Sequence, residues 1–99
     1  MTAATDVRER HFQQAVMDCA RLLGWRVYHT FDSRRSNPGF PDLVLVRDRV
    51  VFAELKTERG QLSRDQAEWL DALGAAGAEA HLWRPADWPT IDATLKEGS

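Results

Sequence analysis

The stretch PDLVLVRDRVVFAELK, Pro41 to Lys56, decides the fold. Its two apolar runs, LVLV and VVFAEL, are short, continuous and rich in β-branched residues, and the polar RDR parts them. That pattern predicts two antiparallel strands joined by a tight turn, covered on both faces and forming the centre of a sheet. Apart from the RDR turn, three ionisable residues sit in or beside these runs: Asp42, Glu54 and Lys56. Ionised groups leave water at a cost of several kcal/mol each, on the order set by burial of a charge, unless something compensates them.

The register follows from the turn. If Val46 pairs near Val50, Asp42 pairs near Glu54, since each lies equally far from the turn. Period two then places Val50, Phe52, Glu54 and Lys56 on one face and Val51, Ala53 and Leu55 on the other. Two carboxylates at cross-strand distance repel and raise each other's pKa unless a cation lies between them. A small set of hard oxygen ligands suits Mg2+ or Mn2+, which keep several waters and complete their shell with phosphate oxygens. Lys56 is then placed to orient a nucleophile or to stabilise negative charge developing at phosphorus.

Outward from the hairpin, Phe12, Val16, Cys19, Ala20 and Leu23 recur at three and four residues, predicting an amphipathic helix from about Asp6 to Leu23, capped by Thr5 or Asp6 and stopped by Gly24. Glu9 and Gln13 fall on the same side as Phe12 and Val16, inward or at the rim. WRVYHTF, Trp25 to Phe31, reads as a strand, followed by the polar loop DSRRSNPG. SRDQAEWLDALGAAG predicts a second helix with Gln66, Trp69, Leu70 and Leu73 on one face, and AEAHLW a last strand. DWPTIDATL adds a short terminal helix with Asp87 as cap and Pro89 in its first turn. The expected class is α/β or α+β, in the order αβββαβ, with a mixed four-stranded sheet packed by helices.

The 99 residues, 43% of them hydrophobic, suit one domain over 1–99 with no apolar run of membrane-spanning length. Thirteen Lys and Arg against fifteen Asp and Glu give a formal charge of −2. No bulk attraction to a polyanion follows, so any nucleic-acid contact must be local. The single Cys19 cannot form an internal disulfide, and the charged opening MTAATDVRERHF is unlike a signal peptide, which predicts a cytoplasmic protein.

The ordered set GFPD, ELK after an apolar strand, ERHFQQAV in the first helix and LSRDQAEWLDALGAAG in the second resembles the VRR-NUC domain of the PD-(D/E)XK nuclease superfamily, over about residues 7–88. The resemblance is to the stand-alone versions found in phages and bacteria. It implies a restriction-endonuclease-like core and a Mg2+- or Mn2+-dependent DNA endonuclease, acting as a homodimer and able to cut branched DNA such as Holliday junctions. By the same resemblance Asp42 and Glu54 are metal ligands, Lys56 is the catalytic lysine, Glu9 assists the metal site and Gln66 lines it. The cell would be bacterial, or a phage's host.

Other residues carry two readings. Gln66 lies three residues after Ser63 and so also completes a capping box. His29 is either a packed strand residue or a substrate contact, and Gln13 could hydrogen-bond beside the carboxylates. Ser33, Arg34 and Arg35 form either an exposed basic loop or a grip on phosphates flanking the scissile bond. Trp69 reads as core, Trp88 as a residue of a dimer interface. The rival to catalysis keeps the same fold as a nucleic-acid- or protein-binding module that does not cut.

Overall fold

The computed structural model describes residues 3–30 and 37–98. Its elements are α1 (Ala3–Leu22), β1 (Arg26–His29), β2 (Leu43–Val46), β3 (Val50–Leu55), α2 (Arg64–Ala75), β4 (Glu79–Trp83), a 3-10 turn (Pro85–Asp87) and α3 (Trp88–Lys96). The described strands make one mixed sheet in the order β1-β2-β3-β4. β1 pairs antiparallel with β2 and β2 with β3, and β4 returns parallel to β3 after α2. The expected hairpin forms in the expected register, Val46 opposite Val50 and Leu43 opposite Ala53.

The core lies on one face of the sheet. Leu43 and Leu45 of β2 and Val51, Ala53 and Leu55 of β3 are buried there with Phe12, Val16, Met17 and Ala20 of α1 and Ile91 and Leu95 of α3. The α1 residues are spaced by four, one and three, giving a stripe that follows the helical period. Trp88 packs edge-on against Phe12, ring centroids 6.0 Å apart, so it joins α3 to α1, where the sequence had suggested a dimer contact.

Among the described residues the other face is covered unevenly, buried at Glu54 but open toward the hairpin turn, where the sequence predicts full cover. Val44 and Phe52 are half-buried, Val46 and Val50 are exposed, and no residue of α2 is fully buried. Trp69 is therefore half-buried and not core, since α2 packs against β4 at the side of the sheet. Its ring meets Phe40 edge-on at 5.1 Å, and Phe40 meets Phe52 in the same way at 6.0 Å.

Two element boundaries differ from expectation. α1 begins at Ala3, a strong helix former, so Thr5 and Asp6 lie in its first turn instead of capping it. β1 spans only Arg26–His29. Trp25 turns into the core, 3% exposed, with its indole N–H donating to the Leu95 carbonyl at 2.9 Å. Asp87 occupies the N-cap of α3 as expected, yet its carboxylate accepts from the Arg84 N–H at 2.9 Å, serving the 3-10 turn.

Candidate active site

Asp42 stands one residue before β2, and the hairpin register carries it opposite Glu54 near the end of β3. Its backbone carbonyl still accepts from Thr30 N–H at 2.8 Å, and one carboxylate oxygen accepts from Leu55 N–H at 2.8 Å. The GFPD turn fixes the approach. Gly39 has φ +91° and lies so close to the start of α2 that a Cβ would fall within 2.5 Å of the Asp65 carbonyl carbon. Only glycine meets both demands, and this contact locks the turn to α2 just ahead of Asp42. Thr30 adds a second tie, its hydroxyl donating to the Pro41 carbonyl at 2.8 Å.

Glu54 is 1% exposed, and no hydrogen-bond donor among the described residues reaches either of its carboxylate oxygens. Lys56 Nζ is 4.0 Å from the nearer one, the outer limit of an ion pair. Burial, with the Asp42 carboxylate next and the charge of Glu9 a smaller contribution, pushes the Glu54 pKa up to about 9, against the opposing pull of Lys56. Asp42 is also raised, chiefly by burial, while Leu55 N–H, Glu54, Lys56 and His29 draw it back. The buried pair thus resists double ionisation when no cation lies between the carboxylates. A carboxylate buried without donors and facing a second one is costly alone and suits a hard divalent cation.

Among the described residues no three His, Cys, Asp or Glu side chains gather as a metal cluster. Asp42 and Glu54 are the pair that could hold an ion, with backbone oxygen, water or substrate completing its shell. Glu9, half-buried on α1, is near enough to act on the charge of Glu54.

Asp42 opens on a cleft of about 350 Å3 at the end of the sheet between α1 and α2. Arg10, Gln13, His29, Thr30, Gly39, Phe40 and Gln66 also line it. Gln13, His29 and Gln66, which the sequence had placed near the site, are brought together here. Gln13 is buried, 8% exposed. Gln66 completes the capping box and also lines the cleft: its side-chain oxygen accepts from Ser63 N–H at 2.9 Å, and Ser63 Oγ accepts from Gln66 N–H at 3.1 Å. Ser33, Arg34 and Arg35 lie outside the described residues.

Sequence reasoning passed over Arg84. One of its terminal nitrogens, Nη1, donates to the carbonyls of Thr57 at 2.7 Å, Gly60 at 2.6 Å and Glu58 at 3.4 Å, shaping the loop that follows Lys56. Its only sequence signal was an arginine at the end of the parallel strand next to β3. Arg10 was missed too, although it stands beside Glu9 on the helix already assigned to the site.

Known proteins bear on this geometry. Residues 4–86 match the family profile of the VRR-NUC domain. A solved structure described as a VRR_NUC domain protein superposes with a TM-score of 0.72 at 17% identity, covering 90% of this chain and 85% of the other. A second, described as a VRR_NUC domain, gives 0.72 at 21% identity, covering 92% and 97%. Hjc of Archaeoglobus fulgidus, a Holliday junction resolvase from an archaeal hyperthermophile, gives 0.56 at 26% identity, covering 76% and 67%. No curated protein matches the chain significantly. With its mixed sheet, its flanking helices and a profile match over most of its length, the chain belongs to the VRR-NUC domain family and has a nuclease fold.

Proposed function

We propose that the protein is a metal-dependent DNA endonuclease that hydrolyses phosphodiester bonds in branched or otherwise structured DNA. The observation that carries this reading is Glu54, 1% exposed and without a donor, facing Asp42 with Lys56 beside it. Asp42 and Glu54 would hold Mg2+ or Mn2+, and the bound ion would supply Lewis-acid stabilisation of the phosphate and a water of lowered pKa. Family membership and the likeness to a Holliday junction resolvase support DNA as the substrate.

Within that scheme the chain's own groups divide the work. Asp42 keeps one oxygen on the Leu55 N–H, which fixes the carboxylate plane and leaves the other oxygen for the ion. Lys56, largely buried, brings a positive charge to the reacting phosphate, where it offsets the charge that builds on the oxygens in the transition state. Glu9 would hold a water at the rim, and Gln13, His29 and Gln66 line the cleft as hydrogen-bonding partners of the strand. A homodimer would bring two such sites to the two strands that must be cut.

Labelled linear, nicked, flapped and four-way DNA, each with Mg2+, Mn2+ or EDTA, tests the reading. Cleavage is expected only with metal, strongest on a branched form, and Lys56→Ala should lower it by about 100-fold or more, the usual effect of removing a group that stabilises transition-state charge. A folded protein that cuts none of these substrates, or a Lys56→Ala variant that cuts as well as the parent, would overturn it.

A further inference from the structure

Beside the cleft of Asp42 lies a second hollow of about 300 Å3, lined by Tyr28, Thr30, Asn37, Phe40 and Trp69. Thr30 and Phe40 line both, so this aromatic trough adjoins the cleft. Three elements each send an aromatic ring into it: Tyr28 from β1, Phe40 from the GFPD turn and Trp69 from α2. Tyr28 is 62% exposed. The far wall is fixed from behind, because Trp69 donates its indole N–H to the Pro38 carbonyl at 3.1 Å and meets Phe40 edge-on.

Among the described residues packing does not explain this set, since no residue of α2 is fully buried and Tyr28 itself stands exposed. Rigid aromatic faces bind what has a flat π-surface, and a nucleobase has one whatever its sequence. Asn37 at the edge of the hollow carries both a donor and an acceptor for a base edge. A second copy seated on these rings would cover residues that also line the catalytic cleft.

We propose that the trough is a nucleobase subsite: it takes one unpaired base of the DNA strand next to the phosphate held at Asp42 and Glu54. The proposal rests on the nuclease reading and deepens it. A base inside a paired duplex is already stacked on its neighbours, so only an unpaired nucleotide at a branch, flap or mismatch fills the subsite cheaply. The trough thereby favours interrupted DNA over continuous duplex.

The test measures binding in EDTA, where no cleavage occurs, for the parent, Tyr28→Ala and Tyr28→Phe. Probes are a continuous duplex and a flapped duplex with 2-aminopurine at the first unpaired position. The parent should bind the flapped probe more tightly and change its 2-aminopurine fluorescence by stacking. Tyr28→Ala should weaken flapped binding about tenfold, the scale of one base–aromatic stack, leave duplex binding as it was and lose the fluorescence change. Tyr28→Phe, which keeps the ring, should behave as the parent.

A Tyr28→Ala protein of unchanged circular dichroism that keeps the parent's preference and fluorescence response overturns the subsite. So does one that weakens both probes equally. Sedimentation showing that Tyr28→Ala only dissolves a dimer, with DNA preference intact, would assign the face to a second copy and overturn it as well. Cleavage assays run in parallel with Mg2+ separate the two readings. Metal-dependent cutting with no effect of Tyr28→Ala on binding sinks the subsite alone, and ring-dependent flap binding without cutting by the parent sinks the nuclease reading alone.

Discussion

Glu54 is where function and stability oppose each other most directly. Its folded pKa of about 9 lies far above the ordinary glutamate value of 4.5. Between those values the folded, metal-free protein keeps a proton that the unfolded chain releases. The contribution to stability is therefore full below about pH 4.5 and is lost as pH rises toward about 9. Glu54→Gln removes the titration while keeping the shape, so urea unfolding in EDTA from pH 5 to pH 9 should show a falling stability for the parent and a flatter line for the variant. The variant should be the more stable at pH 8 by about 1–3 kcal/mol, the scale of an uncompensated buried polar group. Mg2+ should stabilise the parent increasingly as pH rises, because it competes with that proton, and should leave the variant nearly unmoved. Parallel pH profiles would sink the account. That Asp42, Glu54 and Lys56 come together was readable in the sequence, because charges in apolar strands are anomalous and the hairpin register aligns them. The half-burial of Trp69 was not, since a tryptophan on an apolar helical stripe looks the same whether its partner is a full layer or a partial one.

At the scale of elements, the RDR turn does more than join two strands. Arg47 donates to the carbonyls of Leu23 at 3.0 Å, Leu95 at 3.1 Å and Glu97, while Arg49 donates to those of Thr94 at 3.0 Å and Glu97 at 2.9 Å and pairs with Glu79 at 2.7 Å. Both guanidinium groups also lie over the Trp25 ring, at 4.6 and 5.2 Å from its centroid. The carbonyls at the C-terminal ends of α1 and α3 find their missing donors here, and the cations sit where the helix dipoles are negative. Arg47→Ala should therefore destabilise the fold by about 2–4 kcal/mol through several charged hydrogen bonds lost at once. Arg47→Lys should recover little, because an ammonium lacks the planar fork that reaches separate carbonyls. Chemical denaturation of both variants gives the measurement, and a loss below about 0.5 kcal/mol, typical of an ordinary surface position, would show the turn to be a mere connection. The sequence showed the turn through its polarity and length. It could not show the clamp, because that depends on which helix ends the sheet brings within an arginine's reach.

Across the whole molecule, the sheet divides two duties between its faces. One face carries the core, sealed by α1 and α3, and the other carries a half-covering helix whose residues border both the cleft and the aromatic trough. α1 buries Phe12, Val16, Met17 and Ala20, and α2 buries no residue fully. Detaching α2 would thus expose little of the core, whereas detaching α1 would expose most of it. Local opening free energies scale with what an element buries, so α2 should open while the rest of the sheet stays folded. Native-state hydrogen exchange should find the amides of α2 exchanging through openings on the order of 1–2 kcal/mol below those of β3, with α1 exchanging near the global limit. A flapped DNA bound in EDTA should slow the α2 amides most, because Gln66 faces the cleft and Trp69 the trough. Equal protection of α1, α2 and β3 would mean that α2 is held by the same cooperative core. The half-covered face would then be structural, and the helix bordering the site would have no freedom to adjust to the DNA that enters it.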